Sequence, residues 1–89
     1  MRIPITLKGK QYAVKFDGYQ FNAIQVNVSK ESGQPYDYIL GHFKQFGNAI
    51  ERIIKTSLAE SDETVTIREF VERYEQCLKE IRELSESEF

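Results

Sequence analysis

Residues 36–54 read YDYILGHFKQFGNAIERII, and the fold class turns on what changes in the middle of that stretch. Tyr36 to Phe43 is rich in aromatic and branched residues, the composition of a strand. From Phe46 the period becomes helical. Ala49, Ile50, Ile53, Ile54 and Leu58 fall on one face, and Glu51, Arg52 and Lys55 on the other. A strand that hands over to a helix in this way predicts an α+β domain, with the sheet upstream and helices downstream.

Upstream, Ile3, Ile5 and Leu7 alternate with Pro4 and Thr6, the period of a short strand. Pro4 favours a sheet edge, because proline has no N–H to give to a ladder. Lys8-Gly9-Lys10 reads as a turn, after which Tyr12, Val14 and Phe16 repeat the alternation. Asp17-Gly18 is a second hairpin signal and leads into the longest strand candidate, Tyr19 to Val28. Its apolar set changes parity, with Tyr19 and Phe21 odd but Ile24, Val26 and Val28 even, and a bulge near Asn22–Ala23 would reconcile the two. Ser29 to Pro35 is polar and contains Gly33, so it reads as a loop. The first half is therefore predicted as three or four antiparallel strands in a meander.

Downstream, Ser61-Asp62-Glu63 interrupts the first helix, and Thr66 with Glu69 forms a capping-box signature for a second. Ile67, Phe70, Tyr74, Cys77, Ile81 and Leu84 follow at spacings of 3, 4, 3, 4 and 3, with Val71 and Leu78 widening the stripe. Ser85 to Phe89 reads as a fraying tail. The predicted organisation is one α+β domain over residues 1–89: a β-rich half at 1–45, two helices within 46–85, and a tail at 86–89.

Composition narrows the function classes. With 40% hydrophobic and 29% charged residues the chain is globular rather than disordered. No apolar run approaches the ~20 residues of a membrane span, and Met1 to Leu7 lacks a signal-length apolar stretch. A cytoplasmic protein is expected, and the single cysteine, Cys77, agrees with that. At 89 residues a domain has modest stability, which makes a homodimer interface useful. Residues 1–45 hold six basic and three acidic side chains, a charge of +3; residues 46–89 hold six and eleven, a charge of −5.

Little in the chain suggests chemistry. His42 is the sole histidine, and no partner for it is implied by spacing. One histidine and one cysteine fall short of a zinc set. Cys77 sits on an apolar stripe, where cysteine behaves as a small buried hydrophobe. Gly9, Gly18, Gly33, Gly41 and Gly47 form neither GxGxxG nor a phosphate-cradling loop. The carboxylates of the second helix are spaced for solvent rather than for a cleft. No catalytic residue, cofactor or metal is expected.

Two surfaces remain. Lys10, Tyr12, Lys15, Tyr19, Tyr36 and Tyr38 mix aromatic rings with lysines on the sheet, a composition that can stack and hold single-stranded nucleic acid. Core packing is the competing account for those rings, since one sheet face has to cover the helices. The second surface is the wide stripe of helix two, where Phe70, Tyr74, Cys77, Leu78, Ile81 and Leu84 could meet a protein partner or a second copy of the chain.

The order of these segments resembles that of small uncharacterised proteins of tailed bacteriophages and prophages. They share a Lys/Tyr opening strand, here Lys10-Gln11-Tyr12-Ala13-Val14, and an aromatic strand, here Tyr19-Gln20-Phe21-Asn22. A Gly-containing hairpin follows, then Leu40-Gly41-His42-Phe43 running into Asn48-Ala49-Ile50-Glu51-Arg52-Ile53, then Leu58-Ala59-Glu60-Ser61-Asp62 and Thr66-Ile67-Arg68-Glu69-Phe70. The likeness spans roughly residues 8–80 and rests on hydrophobic pattern and turn chemistry; Phe21 stands where such proteins often carry tryptophan. It implies a phage or prophage accessory protein that acts by binding, and it carries over no functional residues.

Overall fold

The computed structural model describes residues 1–87, with side-chain surroundings described through Glu83. Four strands, β1 (Arg2–Leu7), β2 (Lys10–Phe16), β3 (Phe21–Val28) and β4 (Pro35–Phe43), precede two helices, α1 (Phe46–Ala59) and α2 (Ile67–Ser87). The strands form one antiparallel sheet in the order β1-β2-β3-β4, a meander, and both helices pack on one of its faces. Pro4 does lie on an edge strand. The helix of the second half runs on through Glu86 and Ser87, into the expected tail; the rest of that tail, Glu88 and Phe89, lies outside the described residues.

Local chemistry explains each turn. Leu7 pairs with Lys10, so the first hairpin has a two-residue loop. Lys8 (φ 52°) and Gly9 (φ 79°) are both left-handed, as the favoured type I′ turn requires. At the second turn Asp17 acts as a brace: its Oδ1 accepts from Tyr19 N–H at 2.9 Å and Gln20 N–H at 2.8 Å. Those two amides are thereby removed from the ladder, and β3 begins at Phe21 rather than at Tyr19. Thr66 caps α2 by accepting from Glu69 N–H at 3.1 Å, and its hydroxyl donates to the Glu69 carboxylate at 3.2 Å.

The core lies between the sheet and the helices. Ile5 and Leu7 of β1, Tyr12 and Val14 of β2 and Ala23 of β3 meet Ala49, Ile50, Ile53 and Ile54 of α1 and Cys77 of α2. Full burial of a branched aliphatic side chain contributes about 1.5–3 kcal/mol, and Ile53 and Ile54 of α1 and Leu7 of β1 are each wholly buried. Phe21, Leu40, Phe43, Leu58, Tyr74 and Ile81 close the periphery.

The parity change in β3 has a different cause from the expected bulge. The shift of register does fall at Ala23/Ile24, but the extra residue is Leu40 on the partner strand, since Ala23 pairs with Gly41 and Ile24 with Ile39. β3 itself alternates without interruption. Phe21 and Ala23 face the helices, whereas Ile24, Val26 and Val28 face the opposite side. An interior strand with apolar residues on both faces imitates a register slip in sequence.

That opposite face is not flat. Ala13 and Ile24 lie on it, away from the helix core, yet are 0% and 1% exposed. Above them Arg2 of β1 donates to both carboxylate oxygens of Asp37 of β4, at 2.7 and 2.9 Å. β1 and β4 are opposite edges, about 14 Å apart in a flat four-stranded sheet. The pair forms because the sheet twists and curls until this face is concave. The hydrogen bonds to Arg2 hold the Asp37 carboxyl below its ordinary range and raise the guanidinium.

Candidate functional site

Helix α2 divides its apolar stripe between two tasks. Tyr74, Cys77 and Ile81 turn to the core, and Cys77 is wholly buried. Burial pushes its thiol pKa up, so a reactive thiolate is disfavoured. About one-sixth of a helical turn away, Ile67, Val71 and Leu78 line an exposed flank, with Phe70 exposed at the N-terminal end; Ile67 is 86% exposed. Helical geometry imposes this split. The sheet touches a helix along a band narrower than the stripe that Ile67 to Ile81 makes.

Of the residues expected at an α2 interface, Phe70 and Leu78 are exposed, Tyr74 and Ile81 are half-buried against the core, and Cys77 is inaccessible. Cys77 is thus corrected from interface to core. The Leu84 side chain lies outside the described residues. Ile67 and Val71 complete the exposed flank. They were legible as members of the stripe, but spacing alone does not tell which edge of a stripe meets the sheet.

A hollow of about 200 Å³ opens beside the flank, lined by Leu58 of α1, Val65 of the connection and Phe70 of α2, with Ser61, Glu63 and Arg73 at its rim. Arg73 donates to Glu63 at 2.7 Å, which holds the connection against α2; this bond lowers the Glu63 carboxyl and raises the guanidinium. Phe70 lies 6.4 Å from Tyr74, ring centre to ring centre. The hollow adjoins the N-terminal end of the flank through Phe70, and Leu78 lies about two helical turns further along α2.

The aromatic and lysine residues of the sheet do not share a surface. Tyr12 is 1% exposed in the core, a correction of its expected place on a binding face, because β2 needs a large apolar side chain opposite Ile5. Among the described residues its hydroxyl meets no partner in hydrogen-bond geometry, although Ser57 lies close enough to hold the phenol down a little; burial first, then Glu60, pushes it up. Lys10 is ion-paired with Glu60 at the end of α1, which also accepts from Gln25 Nε2 at 3.1 Å. Lys15 projects from the concave face, the opposite side from Lys10. Tyr19 sits in the turn after β2, 93% exposed. Tyr36 and Tyr38 lie on the first half of β4, 49% and 55% exposed, where α1 does not reach.

Other aromatic rings gather at the far end of the sheet. Phe16 stacks on Phe21 at 4.6 Å and Phe46 meets Phe21 edge-on at 5.7 Å. Phe43 folds over Gly41, where a Cβ would come within 2.9 Å of the ring, and Arg52 lies 5.8 Å from the centre of Phe43. His42 Nδ1 lies 2.5 Å from Asn22 Oδ1 across the β3–β4 ladder, on the concave face. Among the described residues no three His, Cys, Asp or Glu side chains gather as a metal site requires, and no helix is long and apolar enough to cross a membrane. Comparison with protein-family models, curated proteins and solved structures finds no match.

Proposed function

We propose that the chain is a non-enzymatic accessory protein, of the phage or prophage type its segment order resembles, that acts by protein–protein contact through α2. The observation that supports this reading is the exposed row of Ile67, Phe70, Val71 and Leu78 on a helix whose Tyr74, Cys77 and Ile81 already fill the core. Large apolar side chains left contiguous at a surface mark contact sites, and the adjoining hollow at Leu58 and Val65 suits an apolar anchor from a partner. The nucleic-acid reading lacks a comparable surface, because its lysines and rings are distributed over the core, a turn and both faces.

The test is a double variant, Val71→Asp with Leu78→Asp, compared with the unaltered protein for stability and for partners retained on an affinity column. Both positions are exposed, so the fold should survive, while a partner retained at low and high salt by the unaltered protein should be lost. A set of partners unchanged by the double variant overturns the reading. So does binding of a single-stranded oligonucleotide that falls by roughly a hundredfold or more between 50 and 200 mM salt, the signature of several phosphate contacts.

A further inference from the structure

The two free edges of the sheet differ in a way that specifies a partner. Phe16 N–H donates to Met1 O at 2.8 Å and Met1 N to Phe16 O at 3.2 Å, so Met1 and Phe16 form a bonded pair. Bonded and non-bonded pairs alternate in an antiparallel ladder. Ile3, Ile5 and Leu7 therefore point their main-chain groups at β2, and Arg2, Pro4 and Thr6 point theirs at the free edge. Pro4 sits where the middle outward N–H would stand, between those of Arg2 and Thr6, and that missing donor blunts the edge at its centre.

The same logic opens the β4 edge. Ser29 N–H donates to Gln34 O at 2.9 Å, and the alternation from that pair has Tyr36 and Tyr38 bonded to Asn27 and Gln25. Pro35, Asp37 and Ile39 point outward, leaving the N–H groups of Asp37 and Ile39 and the carbonyls of Pro35 and Asp37 for an added strand. The residues from Pro35 to Ile39 are all exposed.

We propose that β4 pairs antiparallel with β4 of a second copy of this chain, about a two-fold axis at Asp37, joining two sheets into one. The argument for a second copy is self-complementarity. With Asp37 opposite itself, each copy donates from Asp37 and Ile39 and accepts at Asp37 and Pro35, so the proline that lacks a donor is used only as an acceptor. Tyr36 then stands opposite the second copy's Tyr38, and the reverse, forming two cross-strand aromatic pairs on one face. Ile39 stands opposite the second copy's Pro35 on the other face. The carboxylates of the two Asp37 residues do not meet unneutralised, because each is held by its own Arg2 over the concave face, with Lys15 nearby. This surface is separate from the α2 flank and does not depend on the α2 reading.

A short edge pairing buries less than the ~800 Å² per partner of a stable interface, so a dissociation constant in the micromolar range is expected. The test is solution mass by sedimentation equilibrium from about 1 μM to 1 mM, a range that brackets such a constant, with amide hydrogen exchange at both ends. The mass should rise toward that of a dimer, and the Asp37 and Ile39 amides should slow at least tenfold at high concentration. Tyr38→Lys places a charge beside the added strand at an exposed position, and Ile39→Pro removes an outward donor without touching the β3 ladder. Either variant should remain monomeric throughout, whereas Leu78→Lys should dimerise like the unaltered protein. A monomer at every concentration overturns the proposal. So does a dimer that survives both β4 variants, or one that is lost with Leu78→Lys.

Discussion

The edges of this sheet are built from similar material and finished differently. β1 carries Ile5 and Leu7 against the helices, is backed by α2, and has Pro4 at an outward position. β4 is backed by α1 only over its second half, while its first half shows two tyrosines and an isoleucine to solvent. On the β1 edge the proline stands between the two outward donors, the N–H groups of Arg2 and Thr6; on the β4 edge it stands at one end and leaves the Asp37 and Ile39 donors adjacent. The difference teaches that an edge is defined by what stands behind and beside it, more than by its own strand propensity.

The steepest test of that contrast acts behind β1. Cys77→Asp would place a carboxylate in the layer between α2 and β1, a loss of about 3–5 kcal/mol for a buried charge without a partner. Chemical denaturation should find the variant largely unfolded, and a Cys77→Asp protein as stable as the parent would break the account of α2. Leu7→Ala on the closed edge should cost about 2–4 kcal/mol through the cavity it leaves, read as a lowered urea midpoint.

The strap between the edges is weaker. Arg2→Ala should cost about 0.5–1 kcal/mol, since both partners are substantially exposed. Because the folded Asp37 carboxyl lies below its unfolded value, the contribution is present above the unfolded pKa of about 3.9 and is lost as pH falls through the folded one. Urea midpoints measured from pH 6 to pH 2 should therefore converge for the parent and Arg2→Ala at the acid end. Midpoints separated equally at every pH would show that Arg2 acts by packing alone.

The smallest effect belongs to the open edge. Tyr38→Ala should change monomer stability by less than about 0.5 kcal/mol, because the ring touches little in the monomer. A thermal melt at low protein concentration checks this. A large loss there would mean that β4 is held by contacts its exposure conceals.

Much of the architecture is legible in the sequence alone. The switch of period between Phe43 and Phe46 marks the change from sheet to helices, Lys8-Gly9 and Asp17-Gly18 mark two turns, and Thr66 marks the start of α2. The surfaces were less legible. Tyr12, Tyr36 and Tyr38 belong to one residue type on alternating strands, yet Tyr12 is buried and the other two are exposed, because Tyr12 lies in the core layer with Ile53, Ile54 and Cys77 and the first half of β4 stands outside it. Ile24 and Val26 looked like a slipped register because a one-dimensional pattern has no second face to which they can be assigned.

Sequence by itself determined the local outcomes: which segments extend, which coil, where the turns fall, and that α2 has more apolar surface than one contact consumes. These depend on residues within a few positions of one another, through backbone sterics, capping and periodicity. Only the tertiary structure decided which edge of the α2 stripe faces Leu7 and Tyr12, how Arg2 reaches Asp37 across β2 and β3, and which sheet edge stands clear of the helices. Those outcomes depend on the curl of the sheet and the length of the helices lying on it, and are set by packing between residues far apart in the chain.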